Sequence, residues 1–223
     1  MVTSRLLSSV PGIRHGFGTA SALVPPALAP VWLLRPQKRQ VHGTRVAQVA
    51  AAHEELGAAD GCFTSAAGIP VSIITADCVP LLLASRDGAL AAAVHAGWRG
   101  LYDGIIAESI ASAAGGDGGR LVAAVGPTIC ASCYEVSAEM AEDFAQRFHA
   151  LPRALVLPSH RHLDLRALAE HQLRAAGVTA IEHVGGCTCC QRDAQGEPIY
   201  RSYRRGDRGS QMHSGLYITP KGE

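Results

Sequence analysis

The chain has 223 residues, of which 48% are hydrophobic and 17% charged, and its formal net charge is +1. That size suits one domain with a sizeable buried core and is short for two ordinary domains, while the near-neutral charge offers no bulk attraction for nucleic acid or an anionic membrane. No apolar run approaches the ~18 residues of a membrane span, and Met1 to Val10 lacks the pattern of a secretory signal, so a cytoplasmic location is expected.

In chain order, Ile13 to Phe17 reads as a short opening strand, and the proline-rich Ala22 to Pro36 as an irregular loop. Val41 to Val49 alternates, with His42 at a strand edge or turn, and His53 to Ala59 reads as a short helical or loop piece. Asp60-Gly61 then turns the chain into Cys62-Phe63-Thr64. Val71 to Thr75 leads into Leu81 to Ser85 and Ala89 to Val94, two strands around Asp87-Gly88, a strong hairpin signal. Leu101, Ile105, Ile106 and Ile110 recur at helical spacing until Gly115-Gly116, which predicts a helix packed on the sheet that holds the hairpin. Leu121 to Val125 is a buried strand, Ser137 and Asp164 are N-caps of two amphipathic helices, and Val178 to Val184 is a strand. Ile199 to Tyr203 and Leu216 to Thr219 complete the set as final strands. This order predicts a mixed sheet covered by helices and excludes simple strand–helix alternation; no glycine-rich dinucleotide fingerprint follows the first strand.

A two-residue turn at Asp87-Gly88 sets Pro80 opposite His95 and makes Cys78 a diagonal neighbour on the same face, because side chains repeat every second residue. A three-residue loop shifts the register by one and separates the faces. Two imidazoles, His42 and His95, and one thiolate, Cys78, form a donor set that suits zinc and leaves a fourth position for water or substrate. Separate buried residues are the alternative for all three, and Cys78 with His95 also fits a nucleophile and its base in a cysteine hydrolase. The cysteine count of seven is odd and clustered, so free thiols or metal ligands are expected, not a disulfide framework. Cys130-Ala131-Ser132-Cys133 and Cys187-Thr188-Cys189-Cys190 offer five thiols between them. The spacing of the second group departs from a zinc ribbon, so reactive or buried thiols are the expected reading.

Gln40-Val41-His42-Gly43, Thr75-Ala76-Asp77-Cys78-Val79-Pro80, His95-Ala96-Gly97-Trp98-Arg99-Gly100, Gly126-Pro127 with Cys133-Tyr134-Glu135-Val136, and Ser202-Tyr203-Arg204-Arg205 closely resemble the laccase-domain family. Members were first described as multicopper polyphenol oxidases and are now regarded as zinc-dependent purine nucleoside phosphorylases with adenosine deaminase activity. The resemblance runs from about His15 onward. It implies an α/β (α+β) fold, a four-layer α/β/β/α sandwich with mixed sheets, in a single domain over 1–223. It implies zinc on His42, Cys78 and His95, phosphorolysis of adenosine, inosine or methylthioadenosine, and deamination of adenosine; the alternative is a copper-dependent (Cu2+) polyphenol oxidase. Asp77 is the expected proton carrier, or else a turn residue capping backbone N–H groups. Arg99, Gln40 and Arg204 are the expected substrate contacts, arginine being a permanently charged bidentate phosphate clamp. For Arg99 the alternative is a surface arginine stacked on Trp98. The expected partners are a small-molecule nucleoside and phosphate, with no nucleic acid and no membrane, and monomer or homodimer left open. The family's arginine after the opening His-Gly-Phe, and the asparagine of the following loop, have no counterpart in Thr19-Ala20 and the passage after it.

Overall fold

The computed structural model describes residues 2–220. The chain opens with one turn of helix, α1 (Arg5–Ser8), and strand β1 (Ile13–Phe17). Pro26–Leu34, expected as an irregular loop, winds into a 3-10 segment, with Pro26 at its first turn where no N–H is needed. Next come β2 (Gln37–Arg39), β3 (Val46–Gln48), β4 (Glu55–Ala58), β5 (Gly61–Thr64) and β6 (Val71–Thr75), then the hairpin β7 (Val79–Ser85) and β8 (Ala91–Ala96). The second half runs α2 (Trp98–Asp103), α3 (Ile105–Ala114), β9 (Leu121–Val125), α4 (Ala138–Arg147), α5 (Arg153–Val156), α6 (Leu165–Ala175), β10 (Ala180–His183) and β11 (Met212–Ile218).

The strands form a six-stranded mixed sheet in the order β10-β9-β7-β8-β5-β3, a three-stranded antiparallel sheet β1-β11-β6, and a parallel pair β2-β4. In the large sheet β10 runs parallel to β9 and β3 to β5, while the β9–β7, β7–β8 and β8–β5 pairings are antiparallel. Every residue of β7, β8 and β9 is buried, as expected when both faces are covered. Leu81, Leu83, Ala92, Val94 and Val125 meet Leu101, Ile105, Ile106 and Ile110 of the helices. Leu82, Ala84, Ala91, Ala93 and Ala124 meet Ile73, Leu216 and Phe17 of the small sheet. A third cluster, around Phe144, Leu163 and Leu168, packs α4, α5 and α6 together. The molecule is thus mixed α/β, with α2, α3 and α6 on one face of the large sheet and the small sheet, together with α1, on the other.

The hairpin register is the one a two-residue turn predicts, Pro80 opposite His95, although the loop is longer. Gly88 N–H donates to Ser85 O at 2.9 Å, and Ser85 N–H to Leu90 O at 3.0 Å, which leaves Arg86 to Ala89 as the loop. An even number of loop residues keeps the facing parity, so the register survives. Elsewhere the chain departs from its local pattern. His53–Ala59, read as helix or loop, holds β4, extended by its parallel pairing with β2. The single helix expected beyond Gly100 is broken at Gly104, whose φ of 92° lies in the left-handed region. Ile199–Tyr203, expected as a strand, is irregular, because Arg201 N–H goes to Met212 Sδ and Ser202 N–H to the Asp207 carboxylate.

Candidate metal centre

β6 belongs to the small sheet and β7 to the large one, and only Ala76, Asp77 and Cys78 separate them. The crossing is sharp because Asp77 adopts φ 101°, a left-handed value that a non-glycine residue holds only under constraint. Its surroundings supply that constraint: Asp77 O accepts from Ile129 N–H at 3.0 Å and from Thr128 Oγ1 at 2.6 Å. Its carboxylate accepts from Thr188 Oγ1 at 2.5 Å and from Arg204 N–H at 2.7 Å. Cys78 is thereby held at the seam between the sheets, at the open end of the hairpin that carries His95.

His42 reaches the same point from the β2–β3 connection, with φ 60°. The organiser of this side is a residue that the sequence showed only as half of a turn signal. Asp60, fully buried, accepts Val41, His42 and Gly43 N–H at 3.1, 2.9 and 2.8 Å and bonds His95 Nδ1 at 2.8 Å. Antiparallel pairing of β5 with β8 sets it there, since Gly61 faces Val94 and His95 N–H donates to Asp60 O at 2.7 Å. With Nδ1 held by the carboxylate, His95 presents Nε2 to the site.

One donor atom each from His42, Cys78 and His95 lies within 4.8 Å of the others. The imidazole rings of His42 and His95 stand edge to face, 4.8 Å apart. Gly97 backs the group: a Cβ there would lie 3.0 Å from His42 Cδ2 and 3.2 Å from Cys78 Sγ. Burial pushes the Cys78 thiol up, but hydrogen bonds to His42 and His95, and their charges, bring it down to about 7. Burial pushes His95 down, yet Asp60 and the Cys78 thiolate carry it up to about 9. Burial of Asp60 is likewise outweighed by His95 and the loop N–H groups, so its carboxyl stays below the usual range. A thiolate, an oriented imidazole and an exposed second imidazole form a donor set that fits a zinc-type ion with one open position.

The group lies in the wall of a cavity of about 830 Å³ that also exposes Lys38, Arg39, Trp98, Tyr134, Tyr203 and Arg204. Of the residues expected to touch substrate, Arg204 lines this cavity, with its guanidinium on the carbonyls of Cys133 and Glu135 at 3.3 and 2.9 Å and over the Tyr134 ring at 5.2 Å. Gln40 lines it too, but its amide pairs both ways with the Ile74 backbone at 2.7 and 2.8 Å, in the manner of a strand neighbour. Arg99 is exposed on α2, stacked over Trp98 at 4.9 Å, and is not a lining residue. Asp77 lines the cavity with both carboxylate oxygens engaged. Lys38, Arg39 and Tyr134 escaped the sequence reading although each stands within or beside a quoted motif. Arg205, next to Arg204, turns inward to the carbonyls of Thr188, Cys189 and Tyr200.

A family model described as multi-copper polyphenol oxidoreductase laccase matches residues 32–217. A protein of Xylella fastidiosa named purine nucleoside phosphorylase is 36% identical over 186 residues, which cover 80% of this chain and 69% of that one. A protein of an unknown prokaryotic organism named adenosine deaminase RL5 is 33% identical over 196 residues, covering 80% and 73%. Among solved structures, Neisseria meningitidis protein NMB0706 superposes with a TM-score of 0.80 at 25% identity, over 99% of each chain.

Proposed function

We propose, since this chain belongs to the multi-copper polyphenol oxidoreductase laccase family, that it is a zinc-dependent purine nucleoside phosphorylase which also deaminates adenosine. The observation that carries this reading is the convergence of His42, Cys78 and His95 on a cavity with both cationic and aromatic walls. Relatives named purine nucleoside phosphorylase and adenosine deaminase support it.

His42, Cys78 and His95 hold the metal, and Asp60 fixes the ring of His95 and the loop of His42. Bound there, zinc supplies Lewis-acid chemistry and activation of water at neutral pH. The cavity volume of about 830 Å³ falls within the range of small-molecule sites. Lys38, Arg39 and the free N–H donors of Arg204 bind the phosphate, and Trp98, Tyr134 and Tyr203 pack against the purine. Tyr134 stays a neutral phenol, since burial and the nearby Cys78 and Asp77 charges push it up to about 12. Asp77 acts first as the positioning residue for Cys78; it moves a proton only by releasing Thr188. Gln40 positions β6, and Arg99 contributes charge at the rim.

The copper alternative is weaker on donor chemistry. A polyphenol oxidase of laccase type needs several coppers and many histidines, and a single His2Cys copper is closed by a weak axial ligand such as methionine in an apolar shell. Here His42 is exposed, the cavity wall carries Lys38, Arg39 and Arg204, and no methionine lines it among the described residues. The test is elemental analysis of purified protein alongside incubation with adenosine and phosphate. Adenine with ribose 1-phosphate, and inosine as the deamination product, are expected; zinc-loaded protein that yields neither overturns the reading. His42→Ala should lower both rates by ~100-fold or more while leaving the circular dichroism spectrum unchanged.

A further inference from the structure

We propose a second metal centre: Cys130, Cys133, Cys187 and Cys190 form a tetrathiolate site for a single zinc-type divalent ion, structural in role and separate from the donor set of His42, Cys78 and His95. One sulfur from each lies within 4.8 Å of the other three. With metal–sulfur bonds of about 2.3 Å, a tetrahedron of thiolates has edges of roughly 3.8 Å, and the Cys130 and Cys190 sulfurs are 4.0 Å apart. A disulfide needs about 2.05 Å, and all four cysteines are free.

The local backbone is built for such an ion. Two Cys-x-x-Cys segments face each other: Cys130 and Cys133 bracket a single 3-10 turn, Ala131–Cys133, while Cys187 and Cys190 bracket the turn after β10. The spacing that argued against a zinc ribbon came from counting Cys189, whose sulfur stands outside the group formed by the other four. Without it both segments have the same knuckle spacing. Cys187 Sγ accepts N–H from Cys130 at 3.2 Å and from Cys190 at 3.5 Å, bonds that spread the charge of a metal-bound thiolate. A parallel bridge from Thr128 to Cys187 holds the two segments in register, with Thr188 N–H on Thr128 O at 3.1 Å. Binding releases the thiol protons to solvent as the four sulfurs ligate the ion.

The position gives the ion its work. Cys133 is followed by Tyr134 of the cavity wall, and Thr188, between Cys187 and Cys190, bonds the Asp77 carboxylate. The knot therefore ties the wall of the cavity to the turn that carries Cys78.

The deciding measurement is cobalt titration of metal-stripped wild-type protein under anaerobic conditions. Expected are about two equivalents per chain, one of them with the intense thiolate-to-cobalt charge-transfer absorption and tetrahedral d–d bands of a four-sulfur site. Saturation at about one equivalent, with absorption of a single-thiolate site, overturns the proposal. Two variants localise the signal. Cys130→Ser/Cys187→Ser should lose the four-sulfur band and bind one ion fewer per chain, whereas His42→Ala/Cys78→Ser should keep the four-sulfur band and bind only that ion. A four-sulfur band that survives in the first variant also overturns it. Neither outcome depends on phosphorolysis, so loss of the nucleoside reading leaves this one standing.

Discussion

Asp60 does two things with one carboxylate: it cradles three N–H groups of the His42 loop and holds the Nδ1 side of His95. Asp60→Asn keeps the shape but replaces an acceptor oxygen with a donor facing other donors. Metal affinity at the His42–Cys78–His95 group should fall ~10–100-fold, the usual cost of losing a carboxylate behind a ligating histidine, as read by competition with a chromophoric chelator. Unchanged affinity would mean that the carboxylate serves the loop alone. This residue also marks where local sequence stops being informative. The three donors were legible as chemistry, a soft thiol and two imidazoles near strand ends. Asp60 was legible only as a turn, since its neighbours on the site come from Val41 to Gly43 and from His95, brought together by sheet pairing. Arg99 shows the converse: the residue type was right for an anion, and the helix it sits on turns it onto Trp98 instead.

At the scale of elements, the hairpin of β7 and β8 was legible in register because that depends on parity, and the Asp-Gly signal located its turn. The loop length was not, since Ser85 and Asp87 side chains cap the turn, Ser85 Oγ taking Leu90 N–H at 2.9 Å and Asp87 Oδ1 taking Ala89 N–H at 3.1 Å. Ile199–Tyr203 failed as a strand for a related reason, its N–H groups finding side-chain acceptors that no local pattern announces. Gly88 carries the far end of the hairpin with φ 73°, and a Cβ there would come 2.0 Å from Pro11 O. Gly88→Ala should therefore destabilise the protein by about 1–3 kcal/mol in urea unfolding, through both strain and the backbone clash. Metal affinity at the opposite end of the hairpin should stay within about twofold. A parallel loss of affinity would show that the hairpin transmits strain along its length.

For the whole molecule, the shifted groups set how stability varies with pH. His95, raised from 6.5 to about 9, by itself adds stability that is full below about pH 6.5 and lost as pH rises through about 9. Cys78, lowered from 9.0 to about 7, adds stability that is full above about pH 9 and lost as pH falls through about 7. The two slopes oppose each other, because folding moves a proton from sulfur to imidazole without changing how many are bound. For His15 and His213 burial wins, lowering both from 6.5 to about 4, His15 in spite of the nearby Glu182 carboxylate. Their contribution is full above about 6.5 and lost as pH falls toward 4. Metal-stripped Cys130→Ser protein, which lacks the other thiol that is lowered from 9.0 to about 7, should therefore show a flat unfolding temperature between about pH 7 and 9 and a steady decline below about 6.5. A slope across the flat interval would mean that the sulfur–imidazole exchange does not occur.

The central place of β11 in the small sheet, bonded to β1 on one side and β6 on the other, also has a meaning in time. At ribosomal rates of ~5–20 residues per second, a nascent β1 waits roughly 10–40 s for the strand that pairs with it. Until then both partners present unpaired edges, open to chaperones and to one another's copies on neighbouring chains. Arg204, whose N–H secures Asp77, emerges only just before that strand. The turn that aims Cys78 thus sets only once Arg204 has emerged, long after Cys78 itself.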